Sequence, residues 1–540
     1  MPGLRRAIRL ESGALLTFAA LAAVAALLLV GQTLGRQIFL ESVEDPTLRA
    51  LGMTRGELVG VALVRAALIG VAGAAVAVAA AVSLSPLTPI GLARRAELHP
   101  GLSADLAVLA PGALAVVTLV AVCAAMPAWR ASRTHAGALG VVELPSPGRP
   151  SRVAGAFARA SFPPAAVTGV RLALEPGRGR TAVPVRSAIA GAAAAVCALT
   201  AAGVFGASLA WLAGTPAAYG WTWNVSVGNF ASIPEARRAA RMLDATQGVD
   251  GYLGAVTGEL LVDGRRLEVM AIEQGKGTVP LAVLEGHEPG RPSEVALGAT
   301  TLRRLGKHIG DTVALAVSPG QLSQRRRVVG RMVLSAGPLD SAIAPGKGAV
   351  VDIEAFRRLA PEVAPQVFLV RLDPATDRSR TIDGLQRAFP GTLIRPLAHP
   401  DISDVQRVGY LPGLLAGLVA LLALGTVTHA LVSSVRRRRR DLAVLKTLGF
   451  LQRQVSATVA WQATAFATAA LLAGVPLGVA GGRWAWRLVA TSLGVVPEPV
   501  VPPLGVLAIA AGALLTANLI AAGPGWVAGR LRPAFVLRSE

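Results

Sequence analysis

Cysteine and charge are both scarce in this sequence. Its two cysteines, Cys123 and Cys197, lie inside apolar runs. No disulfide can therefore brace a polar domain, and such a domain must hold by its own core. Charged residues make up only 16% of the 540 residues, whereas 53% are hydrophobic. A typical soluble protein has about 25% charged residues. This composition argues against an ordinary soluble protein and favours helices that cross a membrane.

Seven apolar stretches are long enough to span a bilayer, which takes about 20 apolar residues each. They cover residues 13–35, 60–84, 105–126, 187–212, 410–432, 457–480 and 504–523. The first stretch follows three arginines, as in a signal peptide, but it exceeds the usual apolar core of about 7–15 residues. The sequence therefore predicts a polytopic α-helical membrane protein with seven transmembrane helices.

Basic residues are distributed unevenly along the chain. Residues 214–409 hold 23 Lys and Arg against 20 Asp and Glu, whereas the rest holds 30 against 12. Basic clusters beside apolar spans indicate the cytoplasmic side. We expect a multi-pass protein of the plasma or inner membrane with residues 213–409 outside and the C-terminus inside, although Arg5, Arg6 and Arg9 then fall outside. No recognition motif accompanies the charge, so nucleic acid is not an expected partner.

Two motifs recur at one offset of 397 residues. Residues 48–52 (LRALG) match 445–449 (LKTLG), and the pattern P-x-W-x-A-x-R recurs from Pro127 to Pro524. A shared offset means that the intervening segments have equal length, which predicts two copies of a three-helix unit. The copies occupy residues 1–133 and 410–540. Between them we expect a basic cytoplasmic linker at 134–186, a transmembrane helix at 187–212 and an extracytoplasmic α+β domain at 213–409.

The polar insert shows both strand and helix patterns. Asp263-Gly264 between two strand-like runs predicts a hairpin. Helices are expected near 232–246, 297–305, 352–360 and 376–388, and strands near 221–227, 312–317, 327–334 and 366–372. None of the Gly-Lys pairs lies in a phosphate-binding loop sequence, and no catalytic or metal-ligand cluster is recognisable. We therefore expect no enzyme activity, cofactor or metal in this chain.

Residues 441–455 predict a short amphipathic helix, with Asp441 as N-cap and one apolar face. A counterpart begins at Asp45-Pro46. Such a helix can dock into a partner's groove, lie in the membrane interface or merely connect two spans. Because it recurs with Leu-Gly at the same place, we expect a dedicated element that couples to a partner. Its candidate residues are Asp441, Val444, Leu445, Leu448, Gly449, Leu451, Leu48, Leu51 and Gly52.

Gly474, Gly478 and Gly482 follow one another at intervals of four in and just beyond the sixth span. This spacing allows close helix approach. Gly70 occupies a similar row in the second span. These glycines can serve ordinary packing within the chain or a helix pair that moves, and the sequence leaves both open.

Three segments resemble the FtsX-like permease family, whose relatives include MacB-type exporters and the LolCDE lipoprotein extractor. They are residues 439–449 (RRDLAVLKTLG), 524–537 and 169–180 (GVRLALEPGRGR). The last is similar to the opening of the second unit in long, actinobacterial-type members, and residues 294–317 are similar to a MacB-like periplasmic core. Two complete units would have eight spans and two external domains. The first unit here lacks its opening helix and external domain, which predicts either an upstream start or a shortened form.

The resemblance implies the permease subunit of an ABC-type transporter that works by mechanotransmission with a separate ATPase subunit. It further implies export or extraction of a lipophilic or peptide substrate. Membrane lipids and a second or partner permease are the other expected partners. The alternative is a non-transporting FtsX-like signalling or scaffold protein that regulates cell-envelope enzymes. A secondary transporter would show broken helices and midplane charges, to which only Arg65 comes close.

Overall fold

The computed structural model describes most of the chain outside the first apolar span, the fifth span and several connections. Described are residues 45–87, 101–134 except 103, 152–175, 185–396 with gaps at 319, 321–322, 335–345, 359–360, 362 and 391, and 439–530, with scattered helical positions within 23–38 and 413–432. The chain divides into two compact units. We call Ala207–Gly409 with Arg483–Val500 the sheet domain, and Ile8–Gly206 with Tyr410–Gly482 and Val501–Glu540 the helical unit.

The described α-helices are α1 (Asp45–Ala50), α2 (Arg55–Leu84), α3 (Leu106–Thr134), α4 (Arg152–Arg159), α5 (Pro164–Leu174), α6 (Val185–Gly214), α7 (Ile233–Ala245), α8 (Ala299–Leu305), α9 (Ile353–Arg357), α10 (Arg378–Ala388), α11 (Arg439–Thr447), α12 (Gln452–Leu493) and α13 (Pro503–Gly529). The described strands are β1 (Val225–Gly228), β2 (Val249–Val262), β3 (Arg265–Gln274), β4 (Val283–Gly286), β5 (Glu294–Gly298), β6 (Thr312–Ala316), β7 (Gln324–Met332), β8 (Ala349–Asp352), β9 (Val367–Leu372) and β10 (Leu393–Pro396).

Five of these helices are long and apolar enough to cross a membrane: α2, α3, α6, α12 and α13. They correspond to five of the seven predicted spans. The predicted spans 13–35 and 410–432 lie mostly outside the described residues. Leu34, in the first of them, is buried against Ala66 of α2 and Ala124 of α3. The described residues thus hold five candidate membrane spans.

The sheet domain contains one mixed sheet of ten strands in the described residues, in the order β10-β1-β9-β2-β3-β8-β5-β7-β4. The strand β6 lies off this path and pairs with both β2 and β7. The pairings β2–β3, β3–β8, β8–β5, β5–β7, β7–β6 and β6–β2 therefore close a six-stranded barrel. Its interior is a cluster of buried residues that includes Val256, Val269, Val295, Leu315 and Val351.

The remaining strands extend the sheet away from this barrel. Both β1 and β9 run antiparallel to their neighbours, and α7 and α10 cover them. Leu243 of α7 and Leu385 of α10 are buried with Val227 and Val370 of the strands. A mixed sheet with helices on one face is an α+β arrangement, which agrees with the class expected for the insert.

The predicted hairpin is confirmed. Strand β2 ends at Val262 and β3 begins at Arg265, and Asp263 and Gly264 have φ of 45° and 77°. Positive φ at both central residues is the geometry of a type I′ turn, which suits the twist of paired strands. The predicted strand at 221–227 begins only at Val225. Before it, Trp221 and Trp223 stack on each other with ring centroids 4.8 Å apart.

Four strands were not predicted: β4, β5, β8 and β10. Each has only four or five residues. A run this short has too few residues to show an alternating pattern. Pairing with strands far along the chain specifies them instead, as where β8 lies between β3 and β5.

The sheet domain also includes the end of α12, which the sequence analysis had placed in the second three-helix unit. Trp486 is fully buried there, and its indole Nε1 donates to the carbonyl of Glu498 at 3.0 Å. Arg303 of α8 donates to the carbonyl of Thr491 at 2.7 Å. Helix α12 thus extends well beyond the predicted span of 457–480, and its last turns belong to the domain fold.

Candidate functional site

The turns at the ends of α1 and α11 have the same backbone hydrogen bonds. After α1, Gly52 N donates to Arg49 O at 2.9 Å and Met53 N donates to Leu48 O at 3.1 Å. After α11, Gly449 and Phe450 make the corresponding bonds, each 397 residues further on, at 3.1 Å. These paired bonds form a Schellman motif, whose left-handed residue is usually glycine. We call each short helix with the turn after it an elbow.

The long helix that follows each elbow has a related start. Thr54 caps α2 in a reciprocal capping box: its backbone N donates to Glu57 Oε2 at 2.7 Å, and its hydroxyl accepts from Glu57 N. In the second copy Leu451 N donates to Gln454 Oε1 at 2.9 Å. Leu451 has no hydroxyl, so the second copy keeps only half of the box.

The second elbow corrects the helix predicted at 441–455. The chain does not continue as one helix, because α11 ends at Thr447 and Gly449 turns it at φ 95° before α12 begins. Asp441 lies inside the first turn of α11, which begins at Arg439, and therefore is not the N-cap of this helix. Val444, Leu448, Leu451 and Val455 therefore do not share a helical face.

Burial separates the candidate leucines. Leu448 is 73% exposed and its first-copy equivalent Leu51 is 79% exposed. By contrast, Leu445 is partly buried against a cluster that contains Leu442 and Val455. Of the other candidates, Val444 and Leu451 are exposed, and Leu48 is intermediate. Each elbow therefore presents a strongly exposed leucine next to its glycine, while Leu445, one turn earlier in the second elbow, packs against the chain itself.

Two polar contacts hold the second elbow and α12 to the end of α13. Lys446 Nζ donates to the carbonyl of Gly529 at 2.7 Å, and Ser456 Oγ donates to the carbonyl of Gly525 at 3.0 Å. Those carbonyls lie in the last turn or two of α13, where free carbonyl groups attract a cation. The motif repeated at the end of each copy thus contacts the elbow of the second copy.

The glycine row of α12 packs directly on α6. A Cβ placed on Gly474 would lie 2.6 Å from the carbonyl of Ala193, and one on Gly478 would lie 2.6 Å from that of Cys197. Gly482 repeats the contact one turn further, at 2.8 Å from Ala201 O. The missing side chains let the two backbones approach. A Cβ placed on Gly70 of α2 would lie 3.2 Å from the Cα of Val117 in α3, which is a looser contact.

The contacts of the basic segment around α4 and α5 were not predictable from the apolar pattern of the sequence. A Cβ on Gly169 of α5 would lie 2.6 Å from the Thr458 carbonyl of α12. Phe157 and Phe162 lie 4.5 Å apart between ring centroids, and both meet Trp461 of α12 edge-on at 6.3 and 6.2 Å. The two phenylalanines in an otherwise basic stretch were the available signal for this packing.

Asn518 makes a hydrogen bond between two long helices. Its Nδ2 donates to Thr464 Oγ1 at 3.0 Å and thereby joins α13 to α12. In the part of the chain that the structure describes, no three His, Cys, Asp or Glu side chains converge as metal ligands. The features that recur in the helical unit are the two elbows, each with an exposed leucine beside its glycine.

Comparison with known families finds the same duplication. The C-terminal domain of FtsX-like permeases matches residues 16–136 and again residues 413–533. The two matches begin and end 397 residues apart, which is also the spacing of the two elbows.

The relatives found are permeases too. An uncharacterized ABC transporter permease of Mycobacterium tuberculosis is 30% identical over 209 residues, which cover 36% of this chain and 50% of that protein. One from Mycobacterium bovis is 27% identical over 192 residues, covering 36% and 49%. The chain spans about half the length of these relatives. A permease domain from Porphyromonas gingivalis aligns with 35% of this chain and 98% of its own at 12% identity, but its TM-score of 0.21 is too low to indicate a shared fold.

Together the long apolar helices and the duplicated elbows define an integral membrane protein built from a repeated helical unit. The chain belongs to the FtsX-like permease family and carries two copies of its permease domain.

Proposed function

We propose that this chain is the permease subunit of an ABC-type transporter and that a separate ATPase subunit docks on its two elbows. The exposed leucines carry this proposal. Leu51 and Leu448 stand at the same position of the two copies, each with most of its surface in solvent. Burial of a leucine side chain is worth about 1.5–3 kcal/mol, so a partner that covers both would gain affinity at two equivalent places.

A movement at the second elbow has a long, continuous helix to act on. Helix α12 begins three residues after Gly449 and runs to Leu493, with Pro476 in its interior. Its last turns are held in the sheet domain by the contacts of Trp486 and Thr491. We infer that ATP-driven movement of the elbow is transmitted along α12, which is the mechanotransmission that the family resemblance implies.

In this proposal the sheet domain lies outside the cell and the elbows and C-terminus lie inside, in keeping with the basic residues around α4, α11 and the C-terminus. The work would be the export or extraction of a lipophilic or peptide substrate. A second copy or a partner permease would complete the assembly, since ABC transporters place two ATPase subunits against two sets of membrane helices.

Reconstitution tests the proposal. The tagged chain is purified from native membranes, the co-purifying ATPase is identified by its phosphate-binding loop, and both are placed in liposomes. We expect the permease to stimulate ATP hydrolysis and ATP to drive release of a bound lipid or peptide. Stimulated hydrolysis without any release would instead favour the signalling or scaffold role, and an absence of both association and stimulation would refute the coupling.

A further inference from the structure

A cleft of about 380 Å³ opens on the sheet domain beside the barrel. Three separate elements line it: the start of β3, the helix α8, and the turn at residues 346–348 that leads into β8. The lining residues are Arg265, Arg266, Leu267, Thr301, Arg304, Leu305 and Lys347. Four of these seven side chains are cationic, and none of the described lining residues is acidic.

The backbone around Lys347 is fixed by hydrogen bonds to α8. Gly348 N donates to Thr301 Oγ1 at 2.9 Å, and Thr300 N donates to Gly346 O at 2.8 Å. Gly346 and Gly348 both have positive φ, 70° and 92°. This turn is thus fastened to α8, and Lys347 and Arg304 line one cleft through folding of the chain and not through sequence proximity.

Two acidic side chains near the cleft have basic partners. Glu259 pairs with Arg266 at 3.4 Å across the β2–β3 ladder, and Asp263 pairs with Lys307 at 3.5 Å. The Glu259–Arg266 pair is well exposed, and exposed ion pairs contribute little to stability. Arg266 therefore shares its charge with Glu259, while Arg265 and Arg304 extend the positive charge of the cleft.

The inner part of the cleft is apolar. Leu267 and Leu305 are both partly buried and pack against the barrel core. They leave some apolar surface facing the cleft, next to the cations. A ligand that matches both features has a negatively charged group joined to a hydrocarbon portion. A charged group alone would leave the two leucine side chains in contact with water.

We propose that this cleft binds an anionic amphiphile. Its phosphate or carboxylate group is held by Arg265, Arg304 and Lys347, and its first methylene groups lie over Leu267 and Leu305. The planar guanidinium groups suit such oxyanions because they can donate two parallel hydrogen bonds. The site stands independently of ATPase coupling, because it rests on the sheet domain alone.

Titration calorimetry on the full-length chain in phosphatidylcholine nanodiscs tests the proposal, with empty nanodiscs as blank. The probes are dihexanoyl phosphatidic acid, dihexanoyl phosphatidylcholine and inorganic phosphate. We expect saturable binding of the phosphatidic acid, weakened about tenfold or more in the double variant Arg265→Gln/Arg304→Gln. The matched control Arg237→Gln/Arg238→Gln removes the same charge from exposed positions of α7 and should bind like the unchanged chain.

Each other result counts against the proposal. Equal affinity for inorganic phosphate would mean that the leucines add nothing, and equal affinity for phosphatidylcholine would mean that the cations add nothing. Unchanged binding by the cleft variant, or equal loss in the α7 control, would place the ligand elsewhere. Both arginine pairs are exposed, so all variants should keep the unfolding temperature of the unchanged chain, which is measured alongside.

Discussion

Gly52 and Gly449 adopt the same left-handed backbone, at φ 99° and 95°, although 397 residues separate them. A Cβ on either glycine would meet nothing within 4 Å, so the backbone angle and not lack of space selects glycine there. The helices that follow begin at the same spacing, α2 with α12 and α3 with α13. The duplication is therefore preserved to the residue at the two elbow glycines and at these helix starts.

Replacing Gly449 by alanine should destabilise the second elbow. A non-glycine residue in the left-handed region costs roughly 1–2 kcal/mol, and no new contact offsets this cost. We expect a lower thermal unfolding temperature in detergent. The control is Gly481→Ala in α12, which also meets nothing within 4 Å but has no positive φ, and alanine should be neutral or stabilising there. A Gly449→Ala chain as stable as the control would refute the strain.

Leu448→Asp should abolish ATPase stimulation while the chain remains folded. The side chain is exposed, so a carboxylate there is harmless until a partner buries it at a cost of several kcal/mol. At about 1.4 kcal/mol per tenfold, partner affinity should fall by roughly a hundredfold or more. Co-purification and ATP hydrolysis in liposomes measure the effect.

Leu445→Asp should behave differently and lower stability itself, since Leu445 packs against the cluster around Leu442. Ile309→Asp, at an exposed apolar position of the sheet domain, is the control for adding a carboxylate and should keep both stability and stimulation. Full ATPase stimulation by the Leu448→Asp chain would show that this elbow does not couple.

Gly478→Val should separate α12 from α6. The added side chain would overlap the Cys197 carbonyl, which already lies 2.6 Å from an ideal Cβ, and overpacking of this kind costs about 1–3 kcal/mol or more. We expect a clear loss of thermal stability in detergent. Gly481→Val is matched in helix and substitution but points at open space. Similar losses in both variants would mean that helix propensity, not packing, explains the effect.

Arg326→Met should leave the barrel equally stable or more stable. Arg326 is only 6% exposed, and its Nε has no hydrogen-bond partner. Burial, and then the nearby Arg358, lower the pKa of its guanidinium, so the folded state disfavours its charge. Replacing such a group with an apolar one is often neutral or stabilising. Hydrogen exchange of β6 and β7 should be unchanged or slower, with exposed Arg325→Met as control; faster exchange would show that the charge stabilises the barrel.

Cysteine labelling in intact cells tests the proposed topology. Ser318 and Ser379 are exposed positions of the sheet domain, and Thr447 is exposed at the second elbow. In a chain without Cys123 and Cys197, cysteine at either serine should react with a membrane-impermeant maleimide from outside, whereas Thr447→Cys should react only after permeabilisation. Labelling of position 447 in intact cells would reverse the orientation.

Local features of the fold were predictable from the sequence. The hairpin at Asp263-Gly264 followed from the residues that tolerate positive φ, and the long helices followed from their hydropathy. The helix at 441–455 was wrong because apolar periodicity continued through Gly449, and the pattern alone gave no reason to interrupt it. The short strands β5 and β8 were missed because their partners lie elsewhere in the chain.

By itself the sequence determined that this protein repeats a membrane-embedded unit and that a glycine follows the same leucine in each copy. These properties depend on composition and on rules that act within a few residues. Only the tertiary structure decided that Leu448 is exposed while Leu445 is packed, and that Arg265, Arg304 and Lys347 line one cleft. Burial and convergence of charge depend on which distant segments meet, and that is settled by the packing of the whole chain.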